Sequence, residues 1–383
     1  MKRTICAALV LLAAGCYSSY QRTGQHDATV EPASDPDPDP DPDPDPDPDP
    51  EPIEDPVIDD PVEEVCVETA FAAWRVVPDV LIALDRSNSM ADTPPWPPMW
   101  DTIRTALDGI TEPPRDAAIW FGLLVFPGPM CRPGDPDPVT GCGAPVPSDI
   151  NVRVGPDRHD EIETELASTS TCGGTPIAET LEAAGRYLNG LSDHHEKYVL
   201  LATDGAPNCN DALDGDSCTC TSSYPCSFAN WNCLDDVRTY AILDDMCADG
   251  IKTYVLGLGA AAEWEAVQAA MASHGCTDDY YLAEEPGEIA RALEDIAADV
   301  ETCQIEMYCS EVSHPDEVNF YTLPGPVLLP RDTSRTAGWD WIAPCGPEVS
   351  IGLVEFFGVD CDLLFADDLA NLEPTSGCPT IGG

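Results

Sequence analysis

Short, continuous apolar runs separated by helical segments constrain this chain more than any other feature. Val80–Leu84, Ile119–Phe126, Tyr198–Ala202 and Thr253–Leu258 each read as a strand buried on both faces, and Tyr280–Leu282 as a fifth candidate. Helical spacing appears between them. Trp100–Ile110 carries Ile103, Leu107 and Ile110, and Pro176–Leu188 carries Ile177, Leu181 and Leu188. There Thr175 is placed as N-cap and Pro176 at the first helical position. Leu234–Cys247, Ala262–Ala272 and Pro286–Val300 complete the set. Strands alternating with helices predict an α/β fold, a doubly wound, mainly parallel sheet covered on both faces. Ligands on such sheets bind beyond the carboxyl ends of the strands.

The pattern changes after Cys303. Residues 304–383 carry β-prone stretches, such as Glu317–Leu323 and Val349–Leu353, between Gly and Pro punctuation, with one helical turn near Asp360–Leu364. A small β-rich module of about 80 residues has a marginal core of its own, so covalent staples matter. The chain has 18 cysteines. Setting aside Cys6 and Cys16 near the N-terminus leaves an even set: Cys66, Cys131, Cys142, Cys172, Cys209, Cys218, Cys220, Cys226, Cys233, Cys247, Cys276, Cys303, Cys309, Cys345, Cys361 and Cys378. In an exported chain such a set reads as disulfides whose pairing sequence does not specify. Cys131 with Cys142, and Cys303 with Cys378, are candidate pairs. The cluster Cys209, Cys218, Cys220, Cys226 and Cys233 raises zinc as an alternative, but its spacing fits no common zinc pattern.

Export is read from the N-terminus. Lys2 and Arg3 precede the apolar run Ile5–Ala14, which ends in Gly15-Cys16. This is a secretory signal, too short for a spanning helix of roughly 20 residues. Leu12-Ala13-Ala14-Gly15-Cys16 resembles a bacterial lipobox, with its leucine one place further upstream than usual. The resemblance implies that Cys16 carries a lipid and anchors the protein to the cell envelope, in keeping with an outer-membrane location. An ordinary signal peptide is the alternative. No other segment is apolar enough to span a bilayer. From Asp35 to Pro50 the chain is Asp-Pro repeated, and acidic, Pro-rich sequence continues to Glu64. Proline and like charge both favour an extended path, in which about 35 residues reach on the order of 100 Å. A stalk is expected rather than a calcium-binding strip, because nothing folds these carboxylates into a cage. The expected organisation is a signal at 1–15, an acidic disordered stalk at 16–65, an α/β domain at 66–303 and a β-rich module at 304–383. The formal net charge of −53 excludes nucleic acid and anionic headgroups as partners.

Asp85 ends the first apolar run and opens Asp85-Arg86-Ser87-Asn88-Ser89-Met90. Thr175 lies in Cys172-Gly173-Gly174-Thr175-Pro176, before a helix, and Asp204 in Thr203-Asp204-Gly205, after a strand. These three pieces resemble the metal-ion-dependent adhesion site of the von Willebrand factor A family, whose pattern is Asp-x-Ser-x-Ser, a distant Thr and a distant Asp. The resemblance covers about 230 residues, from near Val76 to Cys303. It implies that Asp85, Ser87, Ser89, Thr175 and Asp204 hold Mg²⁺ (or Mn²⁺ or Ca²⁺). Neutral hydroxyls supply much of the first shell, and one position stays open for a carboxylate of a protein partner. Such hard ions take oxygen ligands, and Mg²⁺ keeps some waters. Asn88 stands where the family usually has glycine; asparagine tolerates a left-handed backbone better than other non-glycine residues. Arg86 is expected to pair with a carboxylate or to face solvent. Taken singly, each of the five residues also reads as a turn or cap residue.

Two rim loops follow from this placement. Asn208–Cys233, with Tyr224, Phe228 and Trp231, directly follows Asp204 and reads either as a specificity loop or as a passive insertion. The stretch with Trp96 and Trp100 is the second, with Trp100 assigned to helix packing. The resulting expectation is an adhesion or ligand-binding lipoprotein and not an enzyme. The rivals are a metal-assisted hydrolase and an envelope protein with a purely stabilising ion. A hydrolase needs a base or nucleophile beside the ion. His194 and His195 precede the third strand, at its far end; His159, His274 and His314 are isolated, and His26 lies in the stalk.

Overall fold

The computed structural model describes residues 66–91, 99–113, 115, 118–128, 142–143, 145–191, 195–259, 264–277, 280–361 and 371–382. The expected signal, lipid-bearing Cys16 and stalk therefore lie outside the described residues, as do Trp96 and Cys131.

Two short strands come first, β1 (Thr69–Ala70) and β2 (Ala73–Arg75). The α/β layer follows in the order β3 (Asp79–Asp85), α1 (Met99–Thr111), β4 (Trp120–Phe126), β5 (Val152–Gly155), α2 (His159–Ser168), α3 (Ile177–Asn189), β6 (Lys197–Thr203), α4 (Asp236–Ala248), β7 (Ile251–Leu258), α5 (Glu265–His274), β8 (Tyr280–Ala283) and α6 (Pro286–Val300). The sheet order is β5-β4-β3-β6-β7-β8. Every pair is parallel except β4 with β5. All seven residues of β3 are buried. Successive side chains of a strand point to opposite faces. Val80, Ile82 and Leu84 thus meet Ile103 and Leu107 of α1 and Leu293 of α6, while Leu81 and Ala83 meet Leu181 of α3, Leu243 of α4 and Met271 of α5. Burial on both faces is the reason the apolar run is unbroken. The register then sets the site. Leu84 pairs with Ala202 of β6, so Asp85 and Thr203 finish side by side at the carboxyl edge.

The remaining strands are β9 (Gln304–Tyr308), β10 (Val318–Thr322), β11 (Val327–Leu329), β12 (Gly338–Ala343), β13 (Ile351–Phe357) and β14 (Leu372–Ser376). They form two four-stranded antiparallel sheets, β1-β14-β10-β11 and β12-β13-β9-β2. The two sheets share one core. Phe320 of β10 stands edge-on to Trp339 and Phe356 of the other sheet, at ring-centroid distances of 4.8 and 5.1 Å, with Ile305, Met307 and Val354 around them. Residues 359–361 are helical; the rest of the turn expected near Asp360–Leu364 lies outside the described residues.

The β module takes in chain from before the α/β layer as well as after it. β1 pairs with β14 and β2 with β9. Val76 N donates to Gln304 O at 2.9 Å, and Thr302 Oγ1 donates to Val76 O at 2.6 Å. The α/β layer therefore leaves and re-enters the β module at neighbouring points. β1 and β2 are two and three residues long, too short for any period to register.

The disulfides are Cys66–Cys378, Cys142–Cys209, Cys218–Cys233, Cys220–Cys226, Cys247–Cys276, Cys303–Cys361 and Cys309–Cys345; Cys172 is disulfide-bonded too. Both expected pairs are corrected. Cys142 bonds Cys209 and not Cys131, because the chain beyond β4 meets the chain beyond β6 above the strand ends. Cys303 bonds Cys361, and Cys378 reaches back to Cys66. The Sγ atoms of Cys218, Cys226 and Cys233 do lie within 4.8 Å of one another. Two adjacent disulfides produce that spacing, and a disulfide offers no thiolate to zinc. No helix among the described residues is long and apolar enough to cross a membrane.

Candidate metal centre

Four of the five oxygen-bearing residues expected from the sequence, Asp85, Ser87, Ser89 and Asp204, are linked by hydrogen bonds above the carboxyl ends of β3 and β6, and the Thr175 hydroxyl stands beside Gly205, the residue after Asp204. Asp85 is wholly buried. Its Oδ1 accepts from Ser87 N at 2.7 Å and its Oδ2 from Thr203 Oγ1 at 2.6 Å. Burial pushes the Asp85 carboxyl up to about 6, against the pull of the Thr203 and Ser87 hydrogen bonds. Ser87 Oγ and Ser89 Oγ are 3.0 Å apart, and Ser89 Oγ donates to Asp204 Oδ1 at 2.9 Å. Asp204 is 8% exposed, while Ser89 is open to solvent.

Thr175 differs from its expected local role. α3 starts at Ile177 with Pro176 as N-cap and no side-chain cap. The Thr175 hydroxyl therefore caps nothing and stands over Gly205, 3.7 Å from where a β-carbon there would sit. Asn88 also departs from expectation. It opens a right-handed 3₁₀ turn, Asn88–Ala91, and is not among the residues with positive φ, so the loop does not require glycine there. Asn88 N donates to Gly173 O at 3.1 Å and Cys172 N to Arg86 O at 2.7 Å, lacing the serine loop to the threonine loop. Arg86 does not simply face solvent. Its guanidinium donates to the carbonyls of Pro127, Gly128 and Ser170 at 2.8, 2.6 and 3.3 Å, and burial lowers its pKa.

The donor set fits a small divalent cation. It is all oxygen, with three hydroxyls and two carboxylates. An octahedral Mg²⁺ with bonds of about 2.0–2.1 Å holds neighbouring oxygens about 2.9 Å apart, whereas Ca²⁺ spreads them to roughly 3.3 Å or more. The Ser87–Ser89 and Ser89–Asp204 contacts, 3.0 and 2.9 Å, are hydrogen bonds here whose oxygens lie close enough together to share one cation, and the same oxygen lone pairs would hold it. The buried Asp85 carboxylate is the second point of fit, since a nearby cation offsets the cost of burying its charge.

Three supporting residues escaped the sequence reading. Thr203 closes an otherwise apolar strand with a hydroxyl, a signal that could have been used. Asn208 holds the Thr175 backbone. Gln268 of α5 is fully buried; its Nε2 donates to Gly205 O at 3.0 Å, and its Oε1 accepts from Tyr280 at 2.6 Å. A lone glutamine in a helix carries no such signal. Trp100 is buried in the core. The described histidines lie away from the five oxygens: His195 beside Asp79 (3.1 Å), His159 beside Thr111 (3.1 Å), His274 stacked on Tyr240, and His314 near Asp316.

No protein-family model matches the chain, and no curated protein does. Among solved structures it is similar to the pilus adhesin SpaC of Lactobacillus rhamnosus GG, at 15% identity and TM-score 0.45, over 82% of this chain and 42% of the adhesin. It is similar to the conserved hypothetical protein BatB of Bacteroides thetaiotaomicron, at 16% identity and TM-score 0.39, over 58% of this chain and 96% of that one. It is similar to proximal thread matrix protein 1 of the mussel byssus, described with a zinc-occupied MIDAS motif, at 13% identity and TM-score 0.37, over 61% and 47%. The chain thus spans less than half of the adhesin and of the thread protein.

Proposed function

We propose that this protein is an exported lipoprotein that binds one Mg²⁺ through Asp85, Ser87, Ser89, Thr175 and Asp204 and uses it to grip a carboxylate of a protein ligand. The observation that carries the reading is the hydrogen-bonded cluster of Ser87, Ser89 and Asp204 oxygens beside the buried Asp85 carboxyl. Three of the five ligands are neutral, so the ion keeps its electrophilic character, and the exposed side at Ser89 leaves room for a ligand oxygen. Binding and not catalysis is the proposed use: the described histidines are engaged elsewhere, Thr203 Oγ1 donates to Asp85, and Asn208 Oδ1 accepts from the Thr175 N–H. Cys16 would carry the lipid, and residues 17–65 would hold the domain away from the membrane.

Calorimetry of the purified protein with Mg²⁺ and with Mn²⁺ tests this. One site is expected, lost in Asp204→Ala without loss of the folded state. Wild-type protein that binds neither ion would overturn the reading. Partner capture that persists in chelator would instead favour a purely stabilising ion. Radiolabelled palmitate incorporation, lost in Cys16→Ser, tests the anchor.

A further inference from the structure

The residue that connects the candidate metal centre to the rest of the rim is Asn208. It is 7% exposed, and both ends of its side-chain amide and its backbone N–H are used. Its Oδ1 accepts from Thr175 N at 2.8 Å, and its own backbone N donates to Thr175 O at 2.9 Å. Its Nδ2 donates to Thr221 Oγ1 at 2.9 Å. The amide has only one workable orientation, since a flip would set its NH₂ against the Thr175 N–H. Thr221 passes the connection on. Its hydroxyl lies 2.9 Å from Asn232 Oδ1, and its N donates to Asn232 O at 2.9 Å. The fully buried Asn232 donates from Nδ2 to Tyr224 O at 2.6 Å. Cys209 N donates to Trp231 O at 2.7 Å, and Trp231 stacks on Tyr224 with planes 14° apart.

Packing reinforces the same junction. A β-carbon on Gly174 would fall 2.8 Å from Cys209 Sγ and 3.1 Å from Asn208 Oδ1. The threonine loop thus lies directly against Asn208 and the Cys142–Cys209 disulfide. Cys209 has φ 72°, a left-handed conformation that costs a non-glycine residue energy and persists where its surroundings hold it. The disulfide is such a hold.

We propose that Asn208 is a positioning residue for the metal centre. It fixes the Thr175 ligand and makes ion occupancy and the order of loop 208–233 depend on one another. The inference rests on the metal reading above. A cation that pulls on the Thr175 hydroxyl draws the Thr175 backbone against Asn208, which draws on Thr221 and Asn232. By reciprocity, whatever orders the loop tightens the ion. The loop presents Phe228 at 81% and Tyr224 at 54% exposure, so a ligand that settles on these rings would strengthen the metal contact without touching the ion.

The probe is Mn²⁺ alone, added to the full chain, with affinity read by calorimetry and loop order by amide hydrogen exchange. In wild type, Mn²⁺ is expected to slow exchange at Cys209, Thr221 and Asn232. Asn208→Ala is expected to lower Mn²⁺ affinity about tenfold, as loss of a residue that orients a ligand typically does, and to abolish the protection. Thr221→Val keeps the Asn208–Thr175 bonds; it should hold affinity within about twofold yet lose the protection. Should Asn208→Ala fail to fold, Thr221→Val carries the test. Wild-type affinity in Asn208→Ala, or loop exchange indifferent to Mn²⁺ in the wild type, would overturn the inference. Mn²⁺ binding undiminished in Asp204→Ala would sink the metal reading itself, whatever Asn208 does.

Discussion

Asp85 is the residue on which the energetics of the candidate site turn. Its carboxyl, pushed up to about 6 by burial, titrates well above an ordinary aspartate near 4. Without an ion, the folded state therefore favours the protonated form more than the unfolded chain does. The stabilisation from protonation is complete below the unfolded value and is lost as the pH rises through about 6. In chelator, wild type should gain about 1 kcal/mol relative to Asp85→Asn on going from pH 7 to pH 5, read by urea unfolding of both proteins at both pH values. Equal pH dependence in the two would show that Asp85 is not raised. Divalent ions should act in the opposite sense, binding more weakly at pH 5, because proton and cation compete for the same oxygens. The serines and the aspartate of this loop were legible in the sequence as a spaced motif. Thr203, which holds the second oxygen of Asp85, was readable only as part of the phrase around Asp204.

At the scale of elements, the four long apolar runs all form strands, and five helices appear where the spacing placed them. Pro286–Val300 agrees at both ends. β5 and α2 escaped. β5 is a four-residue antiparallel edge, and α2 buries only Ile162 and Leu166, so neither offers the continuous apolar signal of a central strand or of a long amphipathic helix. The element contacts also explain how the Asp204 turn is braced. Gly257 of β7 leaves room for Gln268 and Tyr280; a β-carbon there would collide with the Tyr280 hydroxyl and the Gln268 side-chain oxygen. Gly257→Ala should therefore cost about 1–3 kcal/mol by overpacking, displace Gln268 from Gly205 O, and weaken Mn²⁺ binding. Thermal unfolding and calorimetry measure the two effects. Gly287→Ala, with nothing within 4 Å of the added carbon, is the matched control. If both variants behave alike, the brace through Gln268 is refuted.

At the scale of the molecule, charge and covalent closure dominate. Residues 66–383 keep 53 of the 70 acidic side chains and 14 of the 17 basic ones, so the negative charge belongs to the folded part and not mainly to the Asp-Pro segment. Mutual repulsion destabilises a compact state and is screened by salt. The unfolding midpoint should rise between 10 and 150 mM NaCl, roughly one Debye length of about 30 Å shrinking to about 8 Å; a midpoint that falls would contradict this. The Cys66–Cys378 bond joins positions 312 residues apart and closes β1 onto β14. Replacing both cysteines by serine should cost a few kcal/mol, more than replacing Cys247 and Cys276, whose separation is 29. Differential scanning calorimetry of the two double variants ranks them.

What the sequence alone determined about this protein is what neighbouring residues encode. Continuous apolar runs between helical spacings specify a sheet covered on both faces, and short spaced motifs at strand ends specify which oxygens reach its carboxyl edge. Tertiary structure alone decided what depends on distant segments meeting. Residues 66–76 join sheets built from 304–382. Cys142 selects Cys209 because two loops converge above β3 and β6. Arg86 directs its side-chain hydrogen bonds to the carbonyls of Pro127, Ser170 and Gly128, on two other loops. Asn208 becomes a support because Thr175, 33 residues earlier, is brought against it. The physical reason is the same in each case. Periodicity is a local consequence of backbone geometry, whereas pairing of side chains is settled by the packed fold that brings them within reach.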